Sequence, residues 1–152
     1  MNCFCGNQQP FKHCCGLIIN GTNIAETPEL LMRSRYSAYA TNNAEYIYQT
    51  YSSKSRKEQS IQEIKSWAEQ TQWLKLTIKH SDNVNKIDAN TDNSKPLPTV
   101  GFCALYIHNK SFFQMSETSR FTLEKINGVM SMVMSLNISK FHFPSEMNLV
   151  FA

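Results

Sequence analysis

Four of the chain's five cysteines fall within its first fifteen residues, as Cys3-x-Cys5, then eight residues, then Cys14-Cys15. No hydrophobic periodicity calls for such a cluster, and a hairpin-sized loop with two thiols at each end suits one tetrahedral ion. Zinc in closed structural sites takes four thiolates at about 2.3 Å. Gly6 and Pro10 supply turn chemistry between the two pairs. The segment is too short to bury a core, so a bound metal would supply its folding energy instead. Disulfides are the competing reading, but adjacent cysteines bridge awkwardly, and the start lacks the charged, apolar, small-residue order of a signal peptide. Ordinary free thiols would leave the clustering unexplained. His13 could replace a cysteine, yet the four thiols already complete a set. Zinc on Cys3, Cys5, Cys14 and Cys15 is therefore expected, in a reducing, cytoplasmic setting.

The remaining sequence is that of an ordinary globule. At 152 residues, one core-bearing domain would bury about 70% of its unfolded surface. Net charge is only +3. The basic residues are dispersed into small groups, Lys12 with Arg33 and Arg35, then Lys54 with Arg56 and Lys57. Such groups are usually solvated faces, so nucleic acid is not the expected partner. No run of eighteen apolar residues is present, so no membrane-crossing helix is expected.

Residues 17–26 read as a linker with the turn pair Asn20-Gly21. Thr27 reads as an N-cap with Pro28 at the first helical position, opening a helix to about Thr41. Leu31, Met32, Tyr36, Tyr39 and Ala40 form its buried stripe, with Arg33 and Arg35 off that face or at its rim. Ala44 to Tyr51 makes a second helix, and Ser52 to Gln59 a polar loop. Ser60-x-x-Glu63 is a capping-box signature for a third helix, with Ile61, Ile64, Trp67 and Ala68 as its stripe. From Trp73 the period changes to two: Leu74, Leu76 and Ile78 alternate with Lys75, Thr77 and Lys79, predicting a half-buried strand. Residues 81–98 are polar and read as an extended hairpin loop or disordered insertion. Thr99 to His108 is apolar on both faces, which predicts a central strand. Asn109-Lys110 turns into a long strand over 111–125, and Asn127-Gly128 is a hairpin signal leading into 129–138. Helices followed by antiparallel strands predict an α+β fold. Residues 139–152 carry Phe141, Phe143 and Phe151, which could pack back on the body.

Cys3-x-Cys5-Gly6 and Phe11-Lys12-x-Cys14-Cys15-Gly16 resemble the SEC-C motif, named after the C-terminal zinc tail of the SecA translocation ATPase. Thr27-Pro-Glu-Leu-Leu-Met-Arg-Ser-Arg-Tyr-Ser-Ala-Tyr39 resembles the segment that follows this motif in the bacterial YchJ family. Trp73-Leu-Lys-Leu76 and Glu117-x-Ser119-Arg120-Phe121 are similar to later landmarks of that family. Asn7 stands where the motif usually has Ser, Phe4 where Pro is common, and the family's Trp-Tyr-Tyr-like strand is here Gly128-Val-Met-Ser-Met-Val133. The resemblance implies a zinc knuckle over 1–16, a linker over 17–26, and a nuclear-transport-factor-2-like domain over 27–152. That domain would be a cone of helices on a curved, mainly antiparallel sheet. It implies no particular reaction.

The polar candidates for a cone pocket are Arg33 and Tyr36 on the first helix and Glu117, Ser119 and Arg120 on the long strand. Alternation puts Glu117, Ser119 and Phe121 on one face and Arg120 on the other. An acid, base or anion-binding site made of Glu117, Arg120 and Arg33 is the sharper reading. A structural ion-pair network fixing the first helix against the sheet is preferred, because buried charges need partners whatever their role. His80 and His108 sit at strand ends, where lone histidines are usually at the surface, and His142 lies between aromatic neighbours. Cys103 reads as a small core residue. No phosphate loop, nucleophile elbow or His-Glu-x-x-His is present. The expectation is a zinc-binding protein rather than an enzyme, its knuckle meeting another protein or the ribosome through exposed Phe4, Phe11 and Lys12. A small-molecule or enzymatic site in the cone and nucleic-acid binding by the knuckle are the alternatives. Homodimerisation through the sheet stays open.

Overall fold

Local signals set most element boundaries in the computed structural model, which describes residues 1–82 and 96–135 and the backbone of 148–149. A short helix α1 (Cys15–Ile19) follows the cysteine loop, entering the stretch read as linker. The Thr27 hydroxyl accepts the Leu30 N–H at 3.1 Å and Pro28 needs no partner for its nitrogen, so α2 (Pro28–Ala40) begins there. Asn42 in the left-handed region ends that run. Helix α3 (Ala44–Gln49) follows. One turn of helix, α4 (Ser53–Arg56), then stands where the sequence predicts only loop. Two caps account for it. Ser52 Oγ accepts the Ser55 N–H at 3.2 Å, and the distant Glu124 carboxylate accepts the Ser53 N–H at 3.0 and 3.1 Å. Helix α5 (Ile61–Gln70) starts at Ser60, whose Oγ accepts the Glu63 N–H at 3.3 Å.

The sheet comprises β1 (Thr71–Ser81), β2 (Thr99–His108), β3 (Ser111–Ile126) and β4 (Val129–Ser135), in that spatial order, with β5 (Asn148–Leu149) pairing beside Phe113 and Gln114 of β3. The pairings between these strands are all antiparallel. Asn109-Lys110 and Asn127-Gly128 both adopt positive φ at their two central positions, as the tight hairpin turn requires. Strand β2 is central, as its two apolar faces predict. The sheet's inner face presents Val100, Phe102, Phe121, Met132 and Met134, and α2 covers them with Leu31, Met32 and Tyr36. The helical half is tied to the free edge of β4: the Ser52 N–H reaches Met134 O and the Met134 N–H reaches Thr50 O, each at 2.8 Å.

Leu74, Arg35 and His108 depart from the sequence expectation. Leu74 is 44% exposed, because a bulge between Trp73 and Lys75 shifts the inward phase of β1 from Thr71 and Trp73 to Leu76 and Ile78. A second bulge, between Ile78 and His80, turns Ser81 partly inward. Arg35 is 1% exposed rather than at the rim. Its Nη1 donates to Ile47 O at 2.7 Å and Thr50 Oγ1 at 2.6 Å, and its guanidinium lies 4.2 Å from the Tyr51 ring centre. His108 is buried, stacked on Trp67 at 4.5 Å and 3.0 Å from Thr71 Oγ1. Cys103 is a buried strand residue. The insertion 83–95 and the segments 136–147 and 150–152, with Phe141, His142, Phe143 and Phe151, lie outside the described residues.

Candidate metal centre

The cysteine loop closes by a few short-range rules. Gly6 takes φ +93°, which a side chain would resist, and its N–H reaches Cys3 O at 3.2 Å. The Cys3 N–H pairs with Gln9 O at 2.8 Å, and a 3-10 turn over Phe11–His13 carries the chain to Cys14. Gly16 is needed for a different reason: a Cβ there would lie 2.7 Å from Phe11 O. Phe4 and Phe11 meet edge to face at 5.8 Å. Both are half-buried rather than exposed as expected, Phe4 against the main core and Phe11 against the cysteines, whereas Lys12 is exposed.

The four sulfurs lie within 4.8 Å of one another, and Cys5 Sγ is 3.8 Å from Cys14 Sγ. A tetrahedron with metal–sulfur bonds of about 2.3 Å has edges of about 3.8 Å. The donor set therefore fits a thiophilic ion such as zinc, and the cluster could hold one. Cys3, Cys5 and Cys15 are no more than 5% exposed, while Cys14 is partly open. Without an ion the thiols share charge unequally. The Cys15 thiol beside it holds Cys5 down to about 5, against the opposing effect of burial. Cys15 itself is pushed far up by donating to Cys5 and by burial, and Cys14 is pushed up chiefly by burial. Asn7 favours the thiolate form at two sulfurs: its backbone lowers Cys5, and its Nδ2, donating to Cys14 Sγ at 3.7 Å, opposes the upward push of burial there.

Helix α2 grips this loop through residues that recur every fourth position, Glu29, Arg33 and Ser37. Arg33 donates from Nε to Glu29 Oε1 at 3.0 Å and from Nη1 to Cys5 O at 2.6 Å. Glu29 Oε2 in turn accepts from Ser81 Oγ at 3.1 Å, so one chain of hydrogen bonds runs from β1 through α2 to the cysteines. Ser37, fully buried, lies 3.6 Å from Cys3 Sγ. Ser37 and Asn7 are not among the candidate site residues that the sequence offers; the four-residue polar spacing on α2 is the available signal for Ser37.

The candidate pocket residues divide between two places. Arg33 serves the cysteine loop, and its ion pair is with Glu29 on its own helix. Tyr36 is buried edge-on to Trp73 at 5.7 Å, and burial raises its hydroxyl pKa. On β3, Ser119 is buried opposite Val100, and Arg120 is exposed opposite Thr99. Glu117 is exposed opposite Phe102, yet it bears on the aromatic residues: Tyr106 is pushed up to about 12 by burial and then by the Glu117 charge. Trp73 Nε1 is buried without a hydrogen-bond partner among the described residues.

Helices packed on an antiparallel sheet, with a cysteine cluster seated against the first long helix, define an NTF2-like α+β protein carrying an N-terminal thiol site. Residues 27–129 match the family model described as "YchJ, middle NTF2-like domain", and the chain belongs to the YchJ family. It is 31% identical to a UPF0225 protein of Enterobacter sp. (strain 638) over 122 residues, 80% of this chain and 75% of that one. It is 37% identical to a UPF0225 protein of Vibrio cholerae over 78 residues, 51% of either chain, so the match spans about half the length of that relative. Among solved structures, a SEC-C motif containing protein from Psychrobacter arcticus shares the fold, with a TM-score of 0.75 at 24% identity over 93% of this chain and 84% of that one. A SEC-C motif containing protein from Rhodopseudomonas palustris has a TM-score of 0.66 at 28% identity, covering 99% and 100%. Among the described residues no helix is long and apolar enough to cross a membrane.

Proposed function

We propose that Cys3, Cys5, Cys14 and Cys15 hold a structural zinc ion and that the loop so fixed is a contact surface for a partner protein in the cytoplasm. The observation that carries the metal reading is the convergence of four sulfurs to within 4.8 Å of one another in a loop with almost no core of its own. The SEC-C description of two structural neighbours supports the same reading. The partner reading follows from what the fold offers elsewhere. Phe102, Phe121, Met132 and Met134 fill the inner face of the sheet, which favours binding at the loop over chemistry in the cone. Residues 1–16 would be the zinc knuckle, 17–26 the connection and 27–152 the body, with α1 running across the first boundary.

Elemental analysis of protein purified without chelator or affinity metal tests the first half. About one zinc per chain, absent from a Cys14→Ser, Cys15→Ser variant that keeps its helix and sheet signature, is expected; a metal-free wild type ends the reading. Crosslinking of metal-loaded and variant protein in cell extract tests the second half. Partners retained equally by both forms would remove the loop from the contact.

A further inference from the structure

The cysteine loop, the turn after α1 and the start of α2 enclose a cavity of about 600 Å3, a size typical of ligand sites. Its lining is mixed in character. Ile18, Leu30 and Ile24 supply aliphatic surface, and Ile24 is 58% exposed on its turn. The lining also carries acidic groups. Cys14 forms part of it, and four thiolates around one divalent ion leave two negative charges there. Glu26 adds a third, and its carboxylate makes no hydrogen bond or ion pair among the described residues. The basic residues on the wall are His13 and Arg33, and the latter is already held by Glu29 and Cys5 O. Gln9 and Asn23, also on the wall, carry carboxamides of the kind that pair with peptide groups.

We propose that this cavity binds an extended peptide segment of a partner protein in which a lysine or arginine stands next to an aliphatic side chain. The aliphatic group would sit among Ile18, Ile24 and Leu30, and the cation would face Glu26 and the metal-bound sulfurs. Charge complementarity selects the basic residue, because the wall offers uncompensated negative charge and its arginine is spent. This rests on the metal and partner-contact reading above and names the partner's chemistry.

The test is an array of hexapeptides in which leucine neighbours Lys, Arg, Glu or Ser, probed with the metal-loaded full chain. Retention on Lys- and Arg-containing spots should exceed that on Glu-containing spots and should weaken as salt is added. Glu26→Lys should reverse the charge preference, and Ile24→Ser should lower retention about tenfold across the array. Both residues are exposed and outside the cysteine set, so these variants should fold and keep their metal, which elemental analysis verifies. A wild type without charge preference, or unaffected by either substitution, overturns the proposal. Binding abolished by Cys14→Ser, Cys15→Ser but untouched by Glu26→Lys and Ile24→Ser also overturns it, while leaving the loop as the contact surface.

Discussion

Arg33 Nη1 lies 2.6 Å from the Cys5 carbonyl oxygen, so a residue of the main domain's first long helix holds the middle of the thiol loop. The same guanidinium is braced by Glu29, and Glu29 by Ser81. The loop is thereby docked on the body rather than tethered beside it. Arg33→Leu should cost about 1–2 kcal/mol of unfolding free energy in urea, the lower part of the range for a hydrogen bond from a charged group, because Arg33 is partly exposed. The zinc content should be unchanged. Loss of metal together with stability would mean that the arginine shapes the site itself.

Gly16 cannot accept a side chain without moving the Phe11 carbonyl, which is backbone. Gly16→Ala should therefore weaken metal retention in a chelator competition and leave the circular dichroism of the sheet intact. Gly21, with open space around its Cβ position but a positive φ, is the control: Gly21→Ala should cost about 1 kcal/mol and leave chelator resistance unaltered.

Acid should release the ion, because its ligands must be thiolates. In the metal-free, reduced chain the sign follows from Cys5, whose folded pKa of about 5 lies below its ordinary 9.0. Its contribution to stability is full above 9 and is lost as the pH falls through 5. Cys14 and Cys15, shifted upward, act in the opposite sense, favouring the fold below their ordinary value and losing that contribution as the pH rises past it. The stability difference between metal-free wild type and Cys5→Ala should grow from pH 5 toward pH 9. A difference constant over that range would contradict the sharing of charge between Cys5 and Cys15.

Arg35 is a buried cation of the body. Arg35→Ala would leave Ile47 O without its donor and a void beneath Tyr51, at a cost of about 3–4 kcal/mol measured by denaturant unfolding. A loss below about 1 kcal/mol would place the side chain at the surface, where it is worth little.

The bulge in β1 separates two leucines that simple alternation puts together. Leu74→Lys should fall within about 0.5 kcal/mol of wild type, as surface changes do. Leu76→Ala should cost about 2–5 kcal/mol. Comparable losses at both positions would restore the uninterrupted strand.

Features governed by near neighbours were readable from the residues. Thr27-Pro28 and Ser60-x-x-Glu63 mark helix starts because a capping hydroxyl meets an amide three residues on. Asn127-Gly128 marks a hairpin because both residues tolerate positive φ. The spacing of the cysteines similarly pointed to one four-sulfur cluster. Features governed by strand partners or distant packing were not readable. The period of β1 predicts Leu74 inside, but the bulge arises from how Trp73 and Lys75 pair with Tyr106 and Leu105.

The α+β order, the central place of β2 and the four clustered thiols follow from periodicity, turn chemistry and ligand type, all of which are written in the residues. The burial of Arg35, the stacking of His108 on Trp67 and the approach of Arg33 and Ser37 to the cysteines come from packing of the whole chain. The reason is geometric. A polar residue on a helix is assigned to core, surface or site by what the rest of the chain brings against it, and no local pattern carries that information.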